Sequence, residues 1–382
     1  MGSGQAQSIV TTGAWDDALA LDAARPGTPL PDPHFAPARA SGYFVWPPVW
    51  FGDRPSLDFM MKTLPADAGD FFEGLGAEIL RCSVDQDIVV RMHRDGLVVF
   101  DFTHATVRTG LLGRDYNGGN RFMLRQQLLN AHVACLATII LERMHLATAL
   151  ATVEHADVLS MGTPDSIGAA FGAHSRAPSL VLARFPVSYA PGLPLLHDWR
   201  MTFRAAPVSA DCLAAACELL TSAMRHEEDD LIPFVDIWQR SCAAVHAMNY
   251  ALAVVLAWTV IEAMIDRFWQ RYLDANRSRT VEGAEMPFIR ADRRKRLNDR
   301  QYTAAIRTEI LSLTGELDSE LYERCADARQ ARNFWLHDMK PVSYQAAMNA
   351  VATAALLIEK RSSVRLRFAG GGAGYHEQPG IG

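Results

Sequence analysis

Ala328-Arg329-Gln330-Ala331-Arg332-Asn333-Phe334-Trp335-Leu336-His337-Asp338 runs directly into Met339-Lys340-Pro341. Proline disfavours helix at the residue before it. The stretch therefore predicts a helix whose C-terminus lies at or just before His337. Residues five apart on a straight helix are turned about 140° from one another. Arg332 and His337 thus share a site only if the helix ends between them or a second subunit completes it. Asn333 and His337 are four apart and can share a face. The residue types suit phosphate chemistry. A guanidinium fork holds phosphate oxygens in a fixed geometry. An imidazole at a helix C-terminus is placed to keep a proton for a leaving group. The competing reading is structural, with Arg332 and Asn333 capping a helix and His337 a satisfied polar side chain.

Working outward, residues 236–275 read as one long helix. Within it, ALAVVLAWTVI at 251–261 is apolar without interruption. That run is too short to span a bilayer, so it predicts a buried helix rather than a membrane anchor. A polar, basic segment follows at 276–300. Its core, Arg290-Ala291-Asp292-Arg293-Arg294-Lys295-Arg296, is the densest basic cluster in the chain. Arg290, Arg293, Arg294, Lys295 and Arg296 are candidates for salt-sensitive contact with an RNA backbone; a solvated loop is the other reading. Three more helices are predicted at about 302–312, 318–336 and 343–360. Residues 236–365 thus form an all-α unit, and the glycine-rich 366–382 a disordered tail.

Two features then carry a family resemblance. Arg332-Asn333-x3-His337 is similar to the R-x4-6-H motif of HEPN proteins in its R-N-x3-H form. Trp258-x3-Glu262 resembles the W-x3-E core of the first helix in many HEPN domains of the Apea type. The bare R-x4-H spacing is expected about once by chance in a chain this rich in arginine and histidine. The weight therefore rests on context, a motif closing the third helix of a bundle. The likeness covers about 240–362, and the N-terminal two-thirds carries none. It implies a helical bundle that pairs with a second copy, a homodimer or larger assembly. It also implies metal-independent RNA cleavage by 2′-OH attack, leaving a 2′,3′-cyclic phosphate, with no cofactor. His337 would be general acid or base, Arg332 would stabilise the pentacovalent phosphate, and Asn333 would orient or bind. Some HEPN domains are inactive scaffolds, so the implied alternative binds RNA or a partner protein without cutting.

The N-terminal part reads differently. Residues 1–40 are broken by Pro26, Pro29, Pro31, Pro33 and Pro37 and predict a loose arm. Tyr43-Phe44-Val45-Trp46-Pro47-Pro48-Val49-Trp50-Phe51 predicts an edge strand or turn packed on a core, with a base-stacking platform as the alternative. Arg94-Asp95-Gly96 between two apolar runs predicts a β-hairpin over 86–103. Gly118-Gly119 lacks the Gly-Lys-Ser/Thr of a P-loop and reads as a turn before a helix at 120–150. Ser209-Ala210-Asp211 starts another helix, reaching about residue 226. The acidic run Glu227-Glu228-Asp229-Asp230 reads as a solvated linker, not a metal cluster, since consecutive side chains on a helix diverge. Residues 41–235 are therefore an α+β region suited to sensing or to binding a regulatory protein.

Composition bounds the rest. The chain has 382 residues, room for two or three domains, and a net charge of −6. Any nucleic acid must be held by a local patch, not by global charge. Four of the 37 basic residues are lysine and the rest arginine, which fits coding bias or phosphate recognition alike. The six cysteines form no C-x-x-C and predict reduced core thiols in a cytoplasmic protein. His93, His104, His132, His145 and His155 show no metal-ligand spacing.

Overall fold

The computed structural model describes residues 39–46, 49–53, 77–85, 87–105, 120–146, 149–161, 207–226, 230–281 and 284–368. The arm before residue 39, the Gly118-Gly119 turn, nearly all of 160–205, the acidic run at 227–229 and the tail beyond 368 lie outside the described residues.

An antiparallel sheet opens the fold. Its strands are β1 (Ala40–Phe44), β2 (Glu78–Asp85), β3 (Ile88–His93), β4 (Leu97–Asp101) and β5 (Leu159–Met161), in the order β2-β3-β4-β1-β5. The predicted hairpin is β3–β4, paired from Val89↔Asp101 to Met92↔Val98. Gly96 takes the left-handed φ of 78° that its turn requires, and the Asp95 carboxylate accepts from the Leu97 N–H at 3.1 Å. Strand alternation separates the two faces. Tyr43, Val98 and Phe100 join the main helical core, while Phe44, Leu97, Val99 and Leu159 form a small second cluster. The 43–51 aromatic segment packs as core: Tyr43, Phe44, Val45, Val49, Trp50 and Phe51 are all buried.

Among the described residues eight α-helices follow: α1 (Asn120–Met144), α2 (Ala210–Met224), α3 (Ile232–His246), α4 (Tyr250–Ala275), α5 (Ala291–Leu297), α6 (Ala304–Leu313), α7 (Ser319–Asp338) and α8 (Tyr344–Ser362). Helix α1 stops at Met144, six residues before its predicted end, and His145 adopts a left-handed φ of 54°. Ser209 caps α2 as its sequence predicts, accepting from the Cys212 N–H. The α+β region followed by a helical bundle is the observed order. The apolar core runs through α1, α3 and α4 without interruption.

Three expectations need correction. The helix predicted over 236–275 is two helices, α3 and α4, broken at Ala247–Asn249. Met248 there has a φ of 58°, and the Asn249 side chain caps α4 through the Leu252 N–H. Apolar periodicity is the same on both sides of the break, so only Asn249 signalled it. Second, the unit beginning at 236 is not all-α. Strands β6 (Ser278–Val281) and β7 (Ala284–Pro287) form a hairpin between α4 and α5. Third, the tail does not begin at 366. Leu366 is buried, and the Arg367 N–H donates to Thr138 Oγ1 on α1 at 3.1 Å.

The cysteines also depart from expectation. Cys82 on β2 and Cys217 on α2 are joined in a disulfide, while Cys135, Cys212, Cys242 and Cys325 are buried free thiols. Scattered spacing gave no hint that a strand and a helix 135 residues apart would bring two of them together. No described helix is long and apolar enough to cross a membrane.

Candidate functional site

Helix α7 carries the motif, and both its ends are held. The Asp318 carboxylate accepts from the Leu321 N–H at 2.8 Å and lies 3.6 Å from Lys360. That backbone hydrogen bond, then Lys360, keep its carboxyl below the usual range. At the other end Met339 turns left-handed, and its N–H reaches Trp335 O at 3.1 Å. The helix includes His337 in its last turn, so it does not end between Arg332 and His337. The two remain turned apart at the backbone.

One side-chain link bears on that gap. Arg332 Nη1 donates to Asn333 Oδ1 at 2.9 Å, and Asn333, four residues before His337, shares its face. His337 is exposed and makes no hydrogen bond or ion pair with the described residues. Arg332, Asn333 and Trp335 are half-buried. The end of the bundle is also apolar. A five-residue connection, 339–343, joins α7 to α8, and Tyr344 packs edge-on against Tyr250 at 5.7 Å. Phe334, Leu336, Met339, Met248 and Leu252 are all exposed there, with Lys340 Nζ over the Phe334 ring.

Trp258 and Glu262 are joined by a hydrogen bond, Trp258 Nε1 to Glu262 Oε2, at 3.1 Å. Trp258 also floors a cleft of about 300 Å³ between α6 and α7, walled by Ile306, Ile310, Ala326 and Arg329. Sequence reasoning missed this cleft. Its signal lay in the quoted stretch and just before it, where Cys325, Arg329, Asn333 and His337 form one row spaced by four.

The basic segment lies elsewhere. Arg294 pairs with Asp274 and bonds Gln270 at 3.1 Å, near the C-terminal end of α4. The motif lies near the N-terminal end of α4, beside Tyr250. Tyr250 to Asp274 spans about 36 Å of helix. The structure therefore does not bring the two candidate RNA-contacting groups together. Within the segment, Arg293 stacks over Phe288 and Arg296 lies 3.7 Å from Asp292. Arg290, Arg293, Lys295 and Arg296 remain exposed.

A second group of polar side chains is buried in the N-terminal half. Tyr43 Oη and His132 Nδ1 are 2.7 Å apart beneath the sheet, and burial pushes the His132 imidazole down to about 3. Asn130 Nδ2 donates to Asp236 Oδ1 at 2.8 Å, and Arg240 Nε donates to the same oxygen. No described residues form a group of three His, Cys, Asp or Glu able to hold a metal. No family model, curated protein or solved structure matches the chain.

Proposed function

We propose that the chain is a metal-independent RNA endonuclease of HEPN type, toxin-like or associated with phage defence, acting in the cytoplasm. One observation carries this reading. His337 is solvent-exposed at a helix end, on the face where Asn333 holds the Arg332 guanidinium. That exposure leaves the imidazole open to a substrate, as a covered or bonded histidine would not be.

In this reaction an RNA 2′-oxygen attacks the adjacent phosphorus and the 5′-oxygen leaves. The products are a 2′,3′-cyclic phosphate and a 5′-hydroxyl. Arg332 binds the non-bridging oxygens as charge gathers on them. His337 gives its proton to the leaving oxygen. The 2′-hydroxyl proton passes to the imidazole of a second copy, or to water. The apolar side chains exposed around the motif support a homodimer seam that sets two motifs face to face. The α+β region then serves as the sensor or as the seat of a regulatory protein.

The second reading is a non-cleaving scaffold that binds RNA or a partner protein. It is favoured by the distance between the motif and the basic segment. The two readings separate on substrates modified at the 2′ position. Cleavage of tRNA or mRNA that stops when the scissile nucleotide carries a 2′-O-methyl group supports the nuclease. Equal cleavage of the modified strand contradicts it.

A further inference from the structure

The α6–α7 cleft has the makings of a ligand site that the cleavage chemistry does not use. Its floor and walls are apolar: Trp258, Ile306, Ile310 and Ala326. Arg329 lines it half-buried, with no hydrogen bond or ion pair to the described residues. An arginine in that state is ready for an anion, and its planar fork suits phosphate. At the rim Glu309 Oε2 accepts from Tyr322 Oη at 2.6 Å. That contact orients the carboxylate and leaves acceptor capacity on both oxygens. One planar apolar side chain, aliphatic walls, an oriented acceptor and an unpaired guanidinium together suit a nucleotide. Its base packs against Trp258 and the isoleucines, its N–H edge meets a carboxylate and its phosphate meets arginine. The cleft volume, about 300 Å³, suits one such unit and lies at the lower end of the range for small-ligand pockets.

Helix geometry ties the cleft to the motif. Arg329, Asn333 and His337 follow one another at intervals of four, a row that drifts by only about 40° per step. Arg329 and His337 are about 12 Å apart along the axis. A strand whose backbone lies on His337 therefore reaches the cleft along the same helix.

We propose that this cleft seats a single guanine nucleotide of the RNA strand, base against Trp258 and Ile306, N–H edge on Glu309 and phosphate on Arg329. The proposal rests on the ribonuclease reading for its choice of an RNA strand over a free nucleotide. Guanine is chosen because its Watson–Crick edge offers two adjacent N–H donors. A carboxylate can accept both, whereas adenine, cytosine and uracil each offer fewer donors in that arrangement.

The test is binding, measured by the full chain in the His337→Ala background so that no strand is cut. The probes are oligouridylates with and without one guanosine, and free guanosine 5′-monophosphate. The guanosine-containing strand should bind about tenfold more tightly, the scale of one good bidentate base contact. Glu309→Gln should erase that preference. Ala326→Phe, which fills the cleft, should erase it too, with an unchanged circular-dichroism melt showing that the fold survives. Arg329→Gln should weaken the guanosine strand while its fold is kept. Equal affinity for both strands, or a preference that survives Ala326→Phe in a folded protein, overturns the proposal. Guanosine 5′-monophosphate binding as tightly as the strand overturns its substrate part and makes the cleft a free-nucleotide site. A guanosine preference in a protein whose wild type never cuts RNA leaves the cleft standing and removes the nuclease reading alone.

Discussion

His132 and His337 belong to the same chain and to opposite chemistries. His132 sits fully buried on α1, bonded to Tyr43 and packed edge-on against Phe100. His337 stands exposed at the end of α7 with no partner among the described residues. Tyr43 answers His132 Nδ1, while Nε2 has no hydrogen-bond partner among the described residues; elsewhere on α1 Asn130 serves both Asp236 and the Val153 N–H, and Arg240 serves Asp236 and lies near Glu154. Such a network fixes how α1 and α3 meet, since a half-satisfied buried group is costly. Around His337 the polar links are between its neighbours, Arg332 to Asn333 and Lys340 to Asp338. The difference separates side chains locked into the fold from side chains left open to solvent.

The largest expected effect breaks that symmetry directly. His337→Ala should reduce RNA cleavage by at least about 10²–10⁴-fold, the contribution of one positioned proton-transfer group. Its melting temperature should stay at the wild-type value, because an exposed last-turn residue carries little of the core. Arg332→Lys should be similarly impaired in cleavage despite keeping its charge, because the planar fork is lost. Cleavage at the wild-type rate by either variant would assign both residues to structure.

On the other side of the comparison, Asn130→Leu should leave the motif untouched and destabilise the fold. It strips a hydrogen bond from buried Asp236 and orphans the Val153 N–H. A cost of about 3 kcal/mol is expected from the orphaned N–H together with the hydrogen bond lost from Asp236, which Arg240 still pairs, read as a shift in urea midpoint. A shift no larger than that of an exposed control such as Gln330→Leu would show the network to be dispensable.

A smaller effect comes from pH. The folded chain holds His132 unprotonated down to about 3, against an ordinary value of 6.5. Between those values the unfolded chain takes up a proton that the folded chain refuses. Stability therefore falls as pH falls, by about 1.4 kcal/mol per unit from this group. Asp236 opposes it: burial raises its carboxyl, so the folded form keeps a proton above the ordinary 3.8. Urea unfolding at pH 6.5 and 5 should show His132→Gln losing about 2 kcal/mol less than wild type. Identical losses would mean that His132 does not titrate between the two states.

Much of this contrast was legible beforehand and some was not. The hairpin at Asp95-Gly96, the Ser209 cap and the motif helix follow from local chemistry, and local chemistry decides such elements. The α3–α4 break depended on Met248 taking a conformation that methionine rarely adopts, and no propensity foretells that. The β6–β7 hairpin sits in a polar segment with no apolar alternation to announce it. Of the candidate site, Arg332, Asn333 and His337 could be named from spacing. Their orientation depended on the Arg332–Asn333 hydrogen bond, and the cleft beside them on how α6 packs against α7. Those are tertiary facts.

The basic segment offers the smallest effect and sharpens the map of the RNA path. Arg293, Lys295 and Arg296 changed together to Gln should lower affinity modestly for all RNA sequences. The salt slope should flatten by at most about 2, since each phosphate contact on a single strand contributes roughly 0.7. Internal partners already engage Arg294 and Arg296. An unchanged slope would leave the segment to solvent and confine the RNA to the motif end of the bundle.

The most direct measurement is incubation of the purified wild-type chain with tRNA and mRNA in excess EDTA, followed by end-group analysis of the fragments. The account predicts undiminished cleavage, with 2′,3′-cyclic phosphate and 5′-hydroxyl ends, and none from His337→Ala run alongside. Cleavage that stops in EDTA, or fragments bearing 5′-phosphates and 3′-hydroxyls, would contradict it.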